Sequence, residues 1–532
     1  MRKKSLSLIL AAMMAAAALA GCNSNNGGNS SSTGDNSAPP PDTSSTNSSS
    51  AASDSGSSTG GAVDTSEAVN LIYYLWGSAG VANADILAAI NEKMSADINA
   101  TIEVKYIDWG DTATKYPLLF VSGEKFDMSH ASPTAAVSYF TLAAQGAIQD
   151  ITGYLDAVPT LKAEIPDDVW ATSKYQGQIY GVPTLYSEFT PYGYAYRTDW
   201  TDGDITDMAS FEAYADKLVA DGKYLVNGNS NEAQNLYRMM VALTPDWMVA
   251  PGIPESQPYL VATSAANYTD IVHPAFTDEF ADWAKKMKEW ADKGYWPRDI
   301  LSSQTGGKDN FHNSLAGGFI THMPDWTGDY GSISQQLPDV QVDFWCFGEA
   351  NGKIVRKAGV DNSTVISKTS ENPERALMAI EKFMTEEDYY RLIQYGIEGR
   401  QYEIIDGYAE QPADYDSEKD GGGFSAWSLR NDRFNIPRRS EDPRRYTLIE
   451  EWKKTSMADP FSGFSFDDSK VKTQLSNISN VNAQIGTQLM LGKAQGDVDA
   501  AIESYRQQLT AAGIEDVIAE LKSQLESFTP LG

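Results

Sequence analysis

The sequence is poor in the residues from which most catalytic and metal centres are built. Two cysteines occur in 532 residues, Cys22 and Cys346, and four histidines, His130, His273, His312 and His322. If Cys22 is used elsewhere, as argued below, Cys346 has no partner and an intramolecular disulfide is excluded. A chain long enough to build a large core does without one. No two histidines stand at a helical or metal-ligand spacing, and no nucleophile elbow or Gly-rich phosphate loop is found. Zinc chemistry, triad hydrolysis and nucleotide binding therefore lack their signatures, and no cofactor is expected. Positive charge is scarce too: 41 basic residues against 72 acidic ones leave −31 at pH 7. That field repels phosphate, which argues against nucleic acid and anionic head groups as partners. Carboxylate pairs for glycoside hydrolysis can be drawn among so many acids, but abundance does not fix their separation. Nothing supports catalysis, so the reading is not an enzyme. After residue 20 no run is apolar enough to cross a bilayer.

What is present begins with Arg2, Lys3 and Lys4, an apolar run Leu6–Ala20, and Leu19-Ala20-Gly21-Cys22. The run has the length of a secretory h-region and is short for a membrane span. This stretch resembles a bacterial lipobox. The resemblance implies that residues 1–21 are a signal peptide and that Cys22 is acylated, anchoring the protein to the outer face of the cell membrane. An ordinary signal peptide with a chance cysteine is the alternative. Residues 22–66 are almost wholly Ser, Asn, Gly, Thr, Pro, Ala and Asp. They bury too little apolar area to offset ordering entropy, which predicts a disordered tether spanning on the order of 35–40 Å.

From Val69 the pattern changes. Val69–Leu75 and Thr101–Ile107 read as strands, with Phe126–Met128 a short third. Helices are expected over Val81–Ala96, Thr114–Val121 and Pro133–Gln145. Strand alternating with helix argues for an α/β fold with a parallel sheet covered on both faces. Ligands of such sheets sit beyond the carboxyl ends of the strands. Those ends carry Trp76, Asp108-Trp109 and Ser129-His130. Further on, Phe276, Phe280, Trp283, Met287 and Trp290 form one helical stripe ending at Gly294, which reads as core. Gly317–Met323 reads as a strand ending in Pro324-Asp325-Trp326. Asn351-Gly352 between two strand-like runs signals a hairpin. Pro373 suits a first helical position with Asn372 as cap, and residues 469–532 are helical.

Several segments carry a family resemblance: GQIYGVP with YRTDW at 177–200, VSGEKFDM at 121–128, ISKTSENPERALMAIEKFM at 366–384, YGIEGRQYE at 395–403, GFSFDDSKVKTQLSNISNV at 463–481, and the helical end from Ala500. In that order they are similar to extracellular solute-binding lipoproteins of carbohydrate ABC importers, in the Gram-positive oligosaccharide-binding subgroup. The resemblance implies a two-lobe periplasmic-binding-protein-like fold with a hinge, plus a C-terminal helical segment. It puts lobe 1 at 67–186 and 359–400 and lobe 2 at 187–355 and 401–468. Crossings are then expected near Thr184–Thr190, Val355–Val360 and Ile397–Ile404. The implied partners are an oligosaccharide and the permease subunits, with the protein itself a monomer. A cell-surface glycoside hydrolase or lyase, or a glycan-binding adhesin or sensor accessory, stays open as the other reading.

A sugar-binding cleft needs aromatic rings for apolar sugar faces beside short polar side chains for hydroxyls. Trp76, Trp109, Tyr186, Trp326 and Trp427 meet the first requirement; Asp108, Glu188, Asp325, Asp361 and Asn362 meet the second. Trp345, mid-strand, reads as core. Some relatives bind calcium in an acidic loop, but Leu225–Glu232 supplies only one carboxylate, so no metal is expected. The run Arg430, Arg433, Arg438, Arg439, Arg444 and Arg445 reads as a surface ribbon neutralised by carboxylates. Permease docking or recognition of uronates by paired arginines is the alternative.

Overall fold

The computed structural model describes residues 63–189, 191–253 and 257–530. The expected signal peptide, Cys22 and the tether up to residue 62 lie outside these. Eight strands make the two main sheets: β1 (Val69–Trp76), β2 (Ala100–Ile107), β3 (Met128–Ala131), β4 (Gly181–Pro183), β5 (Tyr192–Arg197), β6 (Gly318–His322), β7 (Val342–Cys346) and β8 (Ser363–Ile366). The first sheet has the order β2-β1-β3-β8-β4, the second β6-β5-β7.

The expected parallel sheet holds only for β1, β2 and β3. Strand β8 is antiparallel to both β3 and β4. The reason is topological. Strand β4 leads out of the first lobe at the end where β1–β3 finish, and β8 re-enters from that same end after the chain has built the second lobe. Alternation along β1 splits its side chains between two cores: Leu71, Tyr73 and Leu75 on one face, Ile72, Tyr74 and Trp76 on the other. The second sheet is likewise covered on both faces. Tyr194, Tyr196 and Trp345 face the larger core, and Ala195, Phe344 and Cys346 the smaller.

Helix Asp278–Lys293 shows how local sequence sets an element here. Thr277 caps it by accepting from Phe280 N–H, Asp278 and Glu279 favour its positive end, and Gly294 closes it at φ 88°. Phe280, Trp283, Met287 and Trp290 are buried as the stripe predicts. Phe276 is not: the Thr277 cap leaves it outside the helix, 42% exposed. The C-terminal helices Lys472–Val481, Val498–Ala512 and Ile514–Leu525 are no appendage, because Ile478, Tyr505, Val517 and Leu521 share the larger core of the second lobe. Trp296 Nε1 also donates to Leu491 O at 2.9 Å.

Other expectations need correction. The helix expected over Pro133–Gln145 is only Tyr139–Ala144, because Ser138 caps it late by accepting from Thr141 N–H. Asn351-Gly352 is not a hairpin turn. A helical turn, Phe347–Ala350, precedes it, and Val355–Arg356 pairs in parallel with Met457–Ala458. Lys353 explains the detour: its Nζ donates to the carbonyls of Val241, Thr244 and Trp247 at 2.8–3.0 Å, capping the end of helix Glu232–Leu243. The predicted tether is held at its end, where Arg375, itself buried, donates to the carbonyl of Asp64 (2.7 Å) and, just beyond the tether, to that of Glu67 (3.2 Å).

The third crossing is also displaced. Phe424, Ala426 and Leu429 lie in the first-lobe core, whereas Trp452 lies in the second. Residues 401–429 therefore belong to the first lobe, and the chain crosses at 430–445 rather than at Ile397–Ile404. A local turn in which Ile397 N–H donates to Gln401 Oε1, and an Arg400–Asp85 ion pair of 2.7 Å, hold that earlier stretch against the first-lobe helix Asn83–Ile98.

Candidate functional site

The three crossings run side by side and tie each other by backbone. Thr184 N–H donates to Asn362 O (3.0 Å), Leu185 N–H to Arg430 O (3.0 Å), Lys357 N–H to Glu188 O (3.0 Å) and Asp432 N–H to Leu185 O (3.2 Å). Isolated bridges pair Leu185 with Asn431 and Phe189 with Arg356. This is a three-segment hinge.

Side chains knit it further. Glu188 accepts from Arg430 Nη2 and from Asn362 Nδ2, both at 2.9 Å. The Arg430 guanidinium lies 4.0 Å over the Tyr186 ring, and the Tyr186 hydroxyl accepts from Arg445 Nη2 at 2.6 Å. Arg430 Nε donates to Trp427 O at 3.1 Å. Asp361 ends the short turn Gly359–Asp361 beside this network. Burial pushes its carboxyl up to about 6; Lys357 opposes the shift, and Asp459 and Glu188 add to it.

Asp361 makes a pH prediction. Its folded pKa lies above the ordinary carboxylate value, so the folded state holds its proton more tightly. The stabilisation is full below about pH 4 and is lost as pH rises through about 6. Asp361→Asn should therefore raise the melting temperature at pH 7–8, with the difference from wild type vanishing towards pH 4. A gain that is equal at both ends of the range would remove burial of the charge as the cause.

Beyond the carboxyl ends of β1–β3 the first lobe carries a contiguous aromatic group. Trp76 meets His130 at 4.4 Å, Tyr116 at 5.2 Å and Trp109 at 6.0 Å, all edge-on, and Trp109 leans on Trp427 at 5.3 Å. Trp109 is 54% exposed on the turn Trp109–Asp111, which Asp108 caps by accepting from Gly110 N–H. Trp427 comes from a stretch more than 300 residues away and is held in the turn Trp427–Leu429. Burial, reinforced by the Arg430 charge, pushes His130 down to about 3, so its ring is neutral at any physiological pH. Trp76 Nε1 and His130 Nδ1 are buried and find no hydrogen-bond partner among the described residues. An aromatic surface with unused polar atoms beneath it suits a ligand with apolar ring faces and polar edges.

The structure thus brings together two groups of the expected residues: Trp76, Trp109 and Trp427, with Asp108 at the rim, and Tyr186, Glu188, Asp361 and Asn362 at the hinge. The Arg430–Trp427 bond joins them. In the second lobe Asp325 is exposed at the start of helix Met323–Gln336, with His322 Nε2 3.3 Å from its carboxylate. Trp326 does not belong with them. It is fully buried, stacked on Phe344 at 5.7 Å, and donates from Nε1 to Asp442 Oδ2 at 2.8 Å. The strand expected to carry it ends at His322, and the helix that follows turns Trp326 into the core.

Sequence reading left two members out of the site. His130 stood at a strand end but carried no motif, and Arg430 was hidden in a run of arginines read as surface. Of the loop once weighed for calcium, Glu232 is buried and accepts from Gly307 N–H (3.2 Å) and Asn235 Nδ2 (3.0 Å). Among the described residues no group of three or more His, Cys, Asp or Glu side chains is arranged to hold a metal ion. No helix among them is long and apolar enough to cross a membrane.

A cavity of about 240 Å³ lies in the second lobe, between the start of helix Glu232–Leu243 and the C-terminal helices. Ser230, Asn231, Gln234 and Gln257 line one side, Ser479, Asn482 and Thr487 the other.

Residues 86–397 match the family described as bacterial extracellular solute-binding protein, and residues 460–530 match a domain of unknown function, DUF3502. A carbohydrate ABC transporter substrate-binding protein of Streptococcus pneumoniae serotype 4 is 22% identical over 464 residues, 84% of this chain and 88% of that one. The N-glycan transport solute-binding protein NgtS of Streptococcus pneumoniae superposes with a TM-score of 0.69 at 20% identity, covering 86% of this chain and 98% of its own. The alginate-binding protein AlgQ2 superposes with a TM-score of 0.57 at 14% identity, over 87% and 98%.

Proposed function

Since the chain belongs to the bacterial extracellular solute-binding proteins, we propose that it captures an oligosaccharide between its lobes and delivers it to the permease of an ABC importer. The observation that carries this reading is the Trp76–Trp109–Trp427 surface, joined through Arg430 to a three-segment hinge. Sugar rings stack on the indoles, while Asp108, Glu188, Asp325, Asp361 and Asn362 offer partners to hydroxyls at the edges. The two solute-binding relatives named for carbohydrate and N-glycan transport support the ligand class. Closure is a population shift, because a ligand that touches both lobes binds the closed state better and draws the hinge with it. No bond is made or broken. The protein works as a monomer. Acylation of Cys22 holds it to the outer face of the membrane, and the tether keeps it concentrated near a fixed permease.

A glycan array identifies the ligand. With that ligand at saturation, tryptophan fluorescence changes and the radius of gyration by X-ray scattering falls. Identical scattering with and without bound ligand would refute closure, and release of new reducing ends from a polysaccharide panel would replace binding with hydrolysis. Cys22→Ser releases the protein from cells with ligand affinity unchanged; a fall in affinity would make Cys22 structural rather than an anchor.

A further inference from the structure

Six arginines crowd residues 430–445, an arrangement that on another surface would take an acidic sugar. Here five of them are already matched to carboxylates: Arg430 with Glu188 (2.9 Å), Arg433 with Glu164 (2.8 Å), Arg439 with Glu410 (2.8 Å), Arg444 with Asp442 (2.9 Å) and Arg445 with Glu441 (2.6 Å). Arg438 lies 5.4 Å over the Tyr395 ring. At those five an anionic ligand would compete with a carboxylate already in place, in a chain whose net charge is already −31.

The second-lobe cavity points the same way. Among the described residues its lining carries no charged side chain, only carboxamides, hydroxyls and apolar groups. Its volume of about 240 Å³ is room for on the order of eight waters, the scale of a single sugar ring. Asn482 is 2% exposed and opens a π-helical turn, Asn482–Gly486. Such turns widen a helix and recur at functional sites. The Asn482 Oδ1 accepts from the Tyr505 hydroxyl at 2.6 Å, while its Nδ2 has no acceptor among the described residues. Carboxamides both donate and accept, which matches hydroxyl and acetamido groups. A charged sugar entering this cavity would give up hydration and meet no counter-charge among the described lining residues.

Resting on the carbohydrate reading above, we infer that the ligand is an uncharged glycan and that this cavity receives one of its sugar units. The domain of unknown function then has a role: residues 479–490 form one wall of the chamber that selects the ligand.

The test compares neutral probes (Man5GlcNAc, maltohexaose and xylohexaose) with uronate probes (oligomannuronate and oligogalacturonate) by titration calorimetry. The protein is used as wild type and as Ala483→Trp, an exposed position on the cavity wall. A neutral probe binds, its affinity changes by less than about twofold between 50 and 500 mM NaCl, and Ala483→Trp weakens it by about tenfold or more, or 1.4 kcal/mol. The uronates do not bind. Free mannose and N-acetylglucosamine, titrated alone, separate two sources of the sugar. Binding of either that Ala483→Trp abolishes shows a cavity that takes free monosaccharide; loss of affinity for the long probe alone shows one that takes the end of the glycan. Uronate binding, a steep fall of affinity with salt, or full affinity of Ala483→Trp for a neutral probe overturns this inference and leaves the carbohydrate reading standing. If no probe of either kind binds, both fall together. The salt series needs no variant, so the inference stays exposed even where Ala483→Trp misfolds.

Discussion

Trp427→Ala lowers glycan affinity by at least about thirtyfold, or about 2 kcal/mol, the scale of a buried aromatic anchor, while thermal stability falls only slightly. Trp427 is half-buried and leans on Trp109 at 5.3 Å, outside the first-lobe core cluster, so truncation removes stacking surface without opening that core. Its backbone carbonyl, which accepts from Arg430 Nε, survives the substitution. Trp427→Phe keeps a ring at the site and retains most of the affinity. Trp326→Ala is the contrast. It leaves a cavity beside Phe344 and takes the indole donor from Asp442, which keeps its Arg444 partner, and costs about 3–5 kcal/mol of folding stability. A Trp427→Ala protein that binds as tightly as wild type, or a Trp326→Ala protein that is stable but blind to ligand, would reverse the two assignments.

Arg430→Met acts on the hinge. The guanidinium touches all that must move together: Glu188 of the first crossing, the Tyr186 ring beside it, and the carbonyl of Trp427 in the ligand surface. Its removal leaves Glu188 with Asn362 as its remaining side-chain partner. Breaking one side of a wholly buried pair costs 3–5 kcal/mol; Arg430 and Glu188 keep 20% and 23% of their side-chain surface exposed, so about 2 kcal/mol is expected after solvent screening. The diagnostic is non-additivity. The double variant Arg430→Met/Glu188→Gln leaves no uncompensated carboxylate and should be more stable than Arg430→Met alone. Scattering on Arg430→Met should also show a ligand-induced compaction smaller than that of wild type. Strict additivity, with unchanged compaction, would reduce Arg430 to an ordinary surface charge.

Much of the fold was legible because the signals that set it are short-range. Alternation over Val69–Leu75 and Thr101–Ile107 gave two strands to within one residue. The stripe ending at Gly294 gave a helix whose cap and αL terminus are local chemistry. Where long-range packing competes with local pattern, the reading failed. Asn351-Gly352 is a good hairpin turn in isolation, yet the three carbonyls that Lys353 serves lie more than 100 residues away. Strand β8 would run parallel in a simple alternating fold, but it enters the sheet from the hinge.

The sequence by itself determined a strongly acidic chain without a disulfide framework or the usual catalytic motifs, and an α/β region rich in aromatics. Its ordered segments were enough to suggest two lobes. Only the tertiary structure decided which aromatics meet. Trp76, Trp109 and Trp427 are neighbours because the chain crosses between lobes three times and returns Trp427 to the first lobe just before the last crossing. Trp326, as promising in sequence, is turned inward by one helical start. Periodicity and capping act over a few residues, whereas a binding surface is assembled from side chains hundreds of residues apart, and only the folded path of the backbone brings those together.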